Sequence, residues 1–327
     1  MRRRAFIMLL AGAASGAAKI HLLAASAQEA PRMRRLGILM GLTADDPESQ
    51  VRLAAFLKAL GELGQNLAVE TRWSADNPER ARTHAAELIA LAPDVLLASG
   101  SVAATALRQV TRSIPIVFVQ VAEPLGLVES LAKPGGNITG IASIEAGVSA
   151  KWLALLKEIA PRIRRVMVVR DPDSGAGTGQ FKAIQSAAPD FGVELAAVGV
   201  RDANEIERAI VDFAGAPNGG LIMTTSTRAS AHRDLIVSLA ARLRLPAVYP
   251  FRFYAAAGGL IAYGADWTDQ YRRAAGYVDR ILRGEKTADL PVQMPVKYET
   301  VLNLKTARTL GLQVPDAVRL RVDEVIE

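Results

Sequence analysis

Two polar groups follow neighbouring apolar stretches in the first half of the chain. The apolar residues 95–98 lead into a Ser-Gly-Ser turn that ends at Ser101, and the apolar residues 116–119 are followed shortly by Glu123. This pattern predicts a strand, a tight turn, a helix and a second strand in a parallel βαβ unit. Ligands of such sheets bind beyond the carboxyl ends of the strands. Amides and a hydroxyl at Ser101 could therefore receive a carboxylate, and Glu123 an amine.

Both residues also have an ordinary structural interpretation. Ser101 could cap the helix that follows it, because a serine hydroxyl accepts hydrogen bonds from free helix amides. Glu123 precedes Pro124 and could be a solvated turn residue. Spacing alone leaves the two interpretations of Ser101 equal. The position of Glu123 at a strand end, beside a helix start, slightly favours a binding role.

Acidic and aromatic residues follow predicted strands in the second half. Asp171 and Asp266 come after strands of different lobes, so both could face one cleft, although either could instead cap a turn. An aromatic cluster stands out because only 5% of the chain is aromatic. Rings that line a cleft would favour an apolar or ring-bearing solute, while core and hinge packing explains at least half of them. The cluster comprises Tyr249, Phe251, Phe253, Tyr254, Tyr263 and Trp267.

The sequence disfavours an enzyme. It contains no Cys, which excludes a thiol nucleophile, thiolate metal sites and disulfides. The Gly-rich residues 175–179 lack both the GxGxxG spacing and the end of a P-loop, so we expect a mobile loop there. His84 and His232 lie outside any metal-binding or serine-hydrolase motif. We therefore expect neither a metal nor a cofactor.

The first 27 residues have the pattern of a secretory signal. An arginine-rich start, an apolar stretch and small residues at 25 and 27 predict cleavage after Ala27 and a periplasmic mature protein. Residues 3–6 also resemble a twin-arginine signal, whose passengers cross the inner membrane already folded. The alternative is the N-terminal helix of a cytoplasmic enzyme.

The charge of the chain does not indicate nucleic-acid binding. The 39 Lys and Arg residues exceed the 33 Asp and Glu residues by six. Four of the basic residues lie in the predicted leader, so 35 remain against 33 in the mature chain. This small excess predicts no nucleic-acid partner.

Strand and helix patterns alternate through the mature chain in two similar halves. Predicted strands begin near residues 36, 69, 95 and 116, and again near 166, 195, 220 and 247, which is the spacing of βαβ units. The turn-rich residues 133–140 are the expected crossing between two α/β lobes. We also expect a helix at 228–243 and an edge strand at 296–303.

Several motifs resemble one protein family. They include Lys133-Pro-Gly-Gly-Asn-Ile-Thr-Gly140, Leu245-Pro-Ala-Val-Tyr249, Tyr271-Arg-Arg-Ala-Ala275 and Asn303-Leu-Lys-Thr-Ala307. In this order, along almost the whole mature chain, they are similar to the ABC-transporter substrate-binding proteins of the tryptophan/tyrosine type. The resemblance is specific to the family and says little about the ligand.

This resemblance implies an α/β fold of the type I periplasmic binding protein class. Two Rossmann-like lobes would be joined by a hinge that the chain crosses three times, with a solute enclosed between them. We expect lobe 1 to contain residues 33–140 plus about 248–285. Lobe 2 would contain about 141–247 plus about 286–327.

The cleft residues of the family can be placed on this sequence by the resemblance. They correspond to Ser101, Glu123, Asp171, Ser226, Tyr263 and Asp266, and we add Tyr249 from the aromatic cluster. Several depart from the family pattern. The family usually has an Asp-Pro pair where Glu123-Pro124 stands, an Asn-Pro pair at Asp171-Pro172, and often an Asp at Ser226. By the resemblance, these departures fall at positions that would contact the solute.

The resulting hypothesis is a monomeric, exported solute-binding protein. It would close its lobes around a small amino-acid-like solute, aromatic or branched, and deliver it to an inner-membrane ABC permease with its ATPase. A periplasmic sensor read by a receptor kinase is the alternative. A transcription factor with this fold is disfavoured, because no helix-turn-helix precedes residue 36 and a leader does.

Overall fold

The computed structural model describes residues 33–143, 146–172, 175–199 and 201–327. The predicted leader and its cleavage site lie outside these residues. No helix in the described part of the chain is long and apolar enough to span a membrane. Residues 35–327 form one unit with two sheets.

A parallel five-stranded sheet forms the first lobe. Its strands are β1 (Arg35–Met40), β2 (Ala68–Trp73), β3 (Val95–Ser99), β4 (Ile116–Val121) and β5 (Ile138–Ala142). They lie in the order β2-β1-β3-β4-β5. The connecting helices are α1 (Pro47–Glu62), α2 (Pro78–Ala90) and α3 (Ser101–Val110). Helices α1 and α2 begin with a side-chain cap followed by proline, which fixes where each helix starts.

Apolar side chains cover both faces of this sheet, as parallel sheets require. On one face, Phe56 of α1 packs with Ile38 and Leu97 in a core that also contains Tyr271. On the other face, Leu88 of α2 packs against the sheet. The sheet is therefore a buried platform whose strand ends can hold polar groups in fixed positions.

A seven-stranded sheet forms the second lobe. Its strands are β6 (Arg165–Arg170), β7 (Glu194–Gly199), β8 (Gly219–Met223), β9 (Ala247–Tyr249), β10 (Ile261–Ala265), β11 (Tyr298–Asn303) and β12 (Glu324–Ile326). The order is β12-β11-β10-β9-β8-β6-β7, and only the β10–β11 pair is antiparallel. The helices from residue 150 onward are α4 (Ala150–Ile159), α5 (Gly175–Phe191), α6 (Ala203–Ala214), α7 (Thr227–Ala231), α8 (Arg233–Arg242), α9 (Arg252–Ala256), α10 (Trp267–Leu282), α11 (Leu304–Thr309) and α12 (Asp316–Arg319).

The sheet membership of residues 247–265 differs from the predicted lobe boundaries. The prediction assigned the chain from about 248 to the first lobe, whereas β9 pairs with β8 and β10 pairs with β9 in the second sheet. Helix α10 then packs on the first lobe through Tyr271 and Val278. The segment after it stays there, because Thr139 Oγ1 donates to the Leu290 carbonyl. A continuous parallel ladder, which periodicity cannot reveal, fixes β9 and β10 in lobe 2.

Four local predictions also need correction. Residues 138–142 form strand β5 rather than part of a crossing turn. The strand predicted at the edge is covered by β12, because Val301 pairs with Glu324. The helix predicted at 228–243 is divided into α7 and α8 at His232. The Gly-rich residues expected to form a mobile loop begin α5, where Gly177 lets the helix approach Asp171 closely.

Candidate functional site

A cleft of about 580 Å³ lies between the two lobes. The ends of β1, β3, β4 and β5 contribute lining residues from the first lobe, and the ends of β6 and β8 contribute them from the second. Side chains from opposite lobes therefore face the same space, so a molecule held there would touch both lobes.

The start of α3 forms one wall of the cleft. Gly100 is the N-cap residue, with φ of 88° and no side chain that could accept from the first helix amides. Ser101 does not take over as the cap, since its Oγ accepts from the Ala122 amide at 3.4 Å and so joins the ends of β3 and β4. An uncapped helix start of this kind offers amide donors to an anion.

Residues around the end of β4 add polar groups to the same wall. Gln120 has a left-handed φ of 61° at a shift in the β4–β5 register, and it lines the cleft. Its Nε2 atom is buried without a hydrogen-bond partner. Glu123 also lines the cleft and is exposed. This wall therefore combines an amide donor with a carboxylate.

An acidic group from the second lobe faces this wall. Asp171 is 7% exposed, accepts from Ser226 Oγ at 3.1 Å and forms an ion pair with Arg228 at 3.2 Å. Ser226 at the same time caps α7 by accepting from the Ala229 amide. All three side chains line the cleft. The hydroxyl and guanidinium hold the Asp171 carboxylate in a fixed orientation.

Asp76 is a cleft residue that the sequence did not indicate. It follows β2 in the first lobe, with φ of 53°, and lines the cleft. Burial is the main reason that the pKa of its carboxyl is raised to about 6. The positive charge of Arg228 lowers this pKa, and the negative charge of Asp171 raises it. The signal available in the sequence was its place directly after a predicted strand, before Asn77 and Pro78, which parallels the setting of Glu123.

Arg52 is the second residue that was missed. It lies on α1, lines the cleft and is 3% exposed. Its positions relative to Ser49, Phe56 and Ala59 put it on the buried face of the helix. A charged residue at the spacing of a buried face was the signal that could have found it.

Three of the residues singled out from the sequence are not among the described residues that line the cleft. Tyr249 lies in the core of the second lobe, stacked on Tyr254 with 5.0 Å between ring centroids, and burial raises its pKa. Tyr263 packs against Tyr298, with Lys151 Nζ 4.1 Å from its ring centroid. These two rings pack against protein.

The third, Asp266, lies at a crossing between lobes. It caps α10 by accepting from the Asp269 amide at 3.0 Å and pairs with Lys297 at 2.9 Å on the neighbouring crossing. Burial opposes ionisation, but the bond from Lys297 and the helix amide lower the pKa of this carboxyl. Asp266 therefore ties two of the crossings together.

The aromatic cluster contributes little to the lining. Phe251 and Trp267 line the cleft, while Phe253 and Tyr254 are buried in the core of the second lobe. The rings of Phe251 and Trp267 lie 3.7 Å apart between centroids. Serine, threonine and charged side chains form half of the described lining residues, so most of the cleft lining comes from residues other than the aromatic cluster.

The described residues contain no group of three His, Asp or Glu side chains that could hold a metal ion. His84 instead pairs with Glu87 on α2 at 3.1 Å.

Comparisons with known proteins agree with this architecture. A family model described as ABC transporter substrate binding protein matches residues 48–326. The tyrosine-binding protein of Clostridioides difficile (strain R20291) is 24% identical over 267 residues, which cover 79% of this chain and 76% of that protein. It is a sequence relative of this chain.

Two solved structures show the same fold. An ABC domain from Streptococcus pneumonia in complex with L-Trp has a TM-score of 0.83 at 21% identity, over 90% of this chain and 100% of that chain. The ligand-free, open structure of a substrate-binding protein with adhesive properties from Clostridium difficile has a TM-score of 0.69 at 21% identity, over 90% and 99%. The fold is that of type I periplasmic binding proteins. Because the family model covers most of the chain, the protein belongs to the ABC transporter substrate-binding proteins, a family that binds solutes and is not a family of enzymes.

Proposed function

We propose that this protein binds a small amino-acid-like solute between its lobes and delivers it to an ABC permease from the periplasm. The observation that carries this proposal is the pairing, across one cleft, of the uncapped start of α3 with acidic side chains from both lobes. A zwitterion carries the charges that these two kinds of group attract, and enclosure requires that each charge meet a partner.

The solute's carboxylate would meet the first amides of α3 and the region of Ser101. Its ammonium would meet acidic groups, with Glu123 at the end of β4 and Asp171 opposite as candidates and Asp76 beside them. Ser226 would act through Asp171, whose carboxylate it holds. The ligands named for two relatives, tyrosine and L-Trp, are amino acids and support this class.

The composition of the lining does not restrict the solute to an aromatic amino acid. Of the aromatic cluster, only Phe251 and Trp267 line the cleft, and these rings contact each other. A compact amino acid therefore fits the described lining as well as an aromatic one does. Both lobes that line the cleft belong to one chain, so a monomer can enclose the solute. Such a monomer, acting outside the inner membrane, would suit delivery to a permease.

The proposal can be tested by binding measurements on the purified mature chain. We would measure thermal shifts and then isothermal titration with the proteinogenic amino acids. At least one should bind with a 1:1 stoichiometry, and Asp171→Asn should weaken it by about tenfold to a hundredfold, as expected for loss of a charged hydrogen-bond partner.

Asp212→Asn is the matched control, because Asp212 is exposed on α6. It should leave the affinity unchanged. If no amino acid binds the wild-type chain, the amino-acid assignment is wrong. If Asp171→Asn binds as well as the wild type, the assignment of the ammonium to Asp171 is wrong.

A further inference from the structure

Arg52 is a buried cation at the lobe interface. Its guanidinium lies 3.9 Å from the ring centroid of Trp267 and 5.8 Å from that of Phe253. The residue is 3% exposed, yet it lines the cleft. Trp267 thus covers one face of the guanidinium, and the donors around the edge of the guanidinium must find acceptors elsewhere.

Those acceptors are incomplete. Arg52 Nε and Nη2 are buried without hydrogen-bond partners. The Glu48 carboxylate stands 3.6 Å from Nη2, close enough for an ion pair but beyond a good hydrogen bond. Asp46, the next acidic residue, is bound to Arg233 at 2.9 Å. A buried guanidinium whose donors lack acceptors carries a substantial desolvation cost, and an anionic acceptor in the cleft would offset that cost.

Arg52 is also connected to the start of α3. Tyr271 Oη and Ser99 Oγ are hydrogen-bonded at 2.6 Å. Burial raises the pKa of Tyr271, while the positive charge of Arg52 and side-chain hydrogen bonds to Ser99 and Arg52 oppose that rise. Ser99 directly precedes Gly100, the uncapped N-cap of α3. The guanidinium therefore lies near the amides to which the solute's carboxylate is assigned.

We propose that Arg52 binds the carboxylate of the solute together with the start of α3, so that it determines specificity for a free carboxylate. This inference rests on the proposed function and adds a residue to the same site. Two unsatisfied donors on a planar guanidinium match the two oxygens of a carboxylate, whereas a carboxamide offers one acceptor and two donors of its own.

The test is a double-mutant cycle between the protein and the probe. We would take the tightest-binding proteinogenic amino acid and its primary amide, and measure both dissociation constants for wild type, Arg52→Gln and Arg52→Lys. The wild type should prefer the free acid strongly. Arg52→Gln should reduce that preference by about tenfold to a hundredfold. Arg52→Lys should reduce it by less, because lysine keeps the positive charge but lacks the paired donors that can bind both carboxylate oxygens.

Arg233→Gln is the matched control, because Arg233 is also 5.9 Å from the Phe253 centroid but is bound to Asp46. It should leave the ratio of acid to amide affinity unchanged, even if both affinities fall. Thermal unfolding of each variant establishes that it is folded. Should Arg52→Gln fail to fold, Arg52→Lys provides the comparison, with a reduction of about threefold to tenfold expected.

Two outcomes would overturn the inference. If the folded Arg52 variants weaken acid and amide equally, or weaken neither, Arg52 is a structural residue of the lobe interface. If no amino acid binds the wild type, the proposed function itself is wrong and the carboxylate assignment falls with it. A loss confined to the acid supports the inference.

Discussion

At the scale of a single residue, the ionisation of Asp76 makes the charge of the cleft depend on pH. Its carboxyl in the first lobe interacts with both Asp171 and Arg228 of the second. Burial is the largest cause of its raised pKa of about 6, and it outweighs the attraction of Arg228. The Asp76 carboxyl therefore changes its ionisation near pH 6, within the pH range in which binding proteins are commonly studied. An ammonium bound nearby would favour the ionised carboxylate.

The first prediction concerns the pH dependence of stability. Because the folded pKa of Asp76 lies above the ordinary value of 3.8, its stabilising contribution is complete below about pH 4 and is lost as the pH rises through about 6. Asp76→Asn should therefore be more stable than wild type by about 1 to 2 kcal/mol at pH 7.5, with little difference at pH 4. Urea unfolding at pH 4, 5.5 and 7.5 measures this.

Asp212→Asn serves as the control for this series, and its difference from wild type should not vary with pH. A stability difference for Asp76→Asn that stays constant from pH 4 to 7.5 would contradict the raised pKa.

At the scale of the element, α10 connects the lobes. It begins at the crossing after β10 and then packs on the first sheet, with Tyr271 fully buried. Asp266 starts the helix and holds Lys297 on the adjacent crossing. Asp266 therefore acts as a helix cap and as one half of an ion pair, and these two contacts account for its position without any contact to a solute.

The second prediction separates these roles of Asp266. Asp266→Ala should lower the free energy of unfolding by about 1 to 2 kcal/mol, because it removes a helix cap and an ion pair. The solute affinity should change by less than about threefold. Asp202→Ala, which removes the equivalent cap of α6, is the comparison for stability. A much larger affinity loss for Asp266→Ala would show that Asp266 is a ligand residue after all.

The third prediction concerns the contact between β10 and the end of β9. A Cβ atom at Gly264 would lie 1.7 Å from the Pro250 carbonyl oxygen, so the two segments must move apart to accept any side chain. Gly264→Ala should destabilise the protein by about 3 kcal/mol or more. Gly276→Ala in α10 meets nothing within 4 Å and should instead stabilise by about 0.5 to 1 kcal/mol. Equal denaturation midpoints for the two variants would contradict this expectation.

At the scale of the whole molecule, an ion pair joins the lobes away from the solute. Asp46 precedes α1 in the first lobe, and Arg233 begins α8 in the second; their charged atoms are 2.9 Å apart and largely buried. Opening the cleft would separate them. The pair therefore stabilises the arrangement of the lobes seen here. Less of the solute's binding free energy is then needed to hold the lobes in that arrangement.

The fourth prediction is that Arg233→Met weakens solute binding by about threefold to tenfold, since the arrangement of the lobes seen here loses an ion pair. Small-angle X-ray scattering of the unliganded variant should give a larger radius of gyration than wild type. Arg242→Met removes a pair with Glu207 at 3.2 Å within the second lobe, and should change neither quantity. An unchanged affinity for Arg233→Met would mean that the pair does not bias closure.

The sequence by itself determined the elements and the class of fold. Apolar runs and helical spacing located most of the described strands closely enough to predict two α/β lobes, because these patterns reflect burial along a few adjacent residues. The motifs from 133 to 307 identified the family, and the family model confirms it. Ser101, Glu123 and Asp171 were singled out because residues after parallel strands share one edge of a sheet, and Ser226 was singled out by the family resemblance; all four line the cleft.

Only the tertiary structure decided which strands pair and which side chains meet. The membership of β9 and β10 in the second sheet depends on hydrogen bonds between distant segments, which leave no local pattern. Tyr249 and Tyr263 carry the same aromatic signal as Trp267, but packing against protein separates them from the cleft lining. Asp76 and Arg52 reach the cleft from a turn and a buried helix face. Spacing along the chain puts Arg52 on the buried face of α1 and Asp76 after a strand, but only three-dimensional proximity shows that both residues line one cleft.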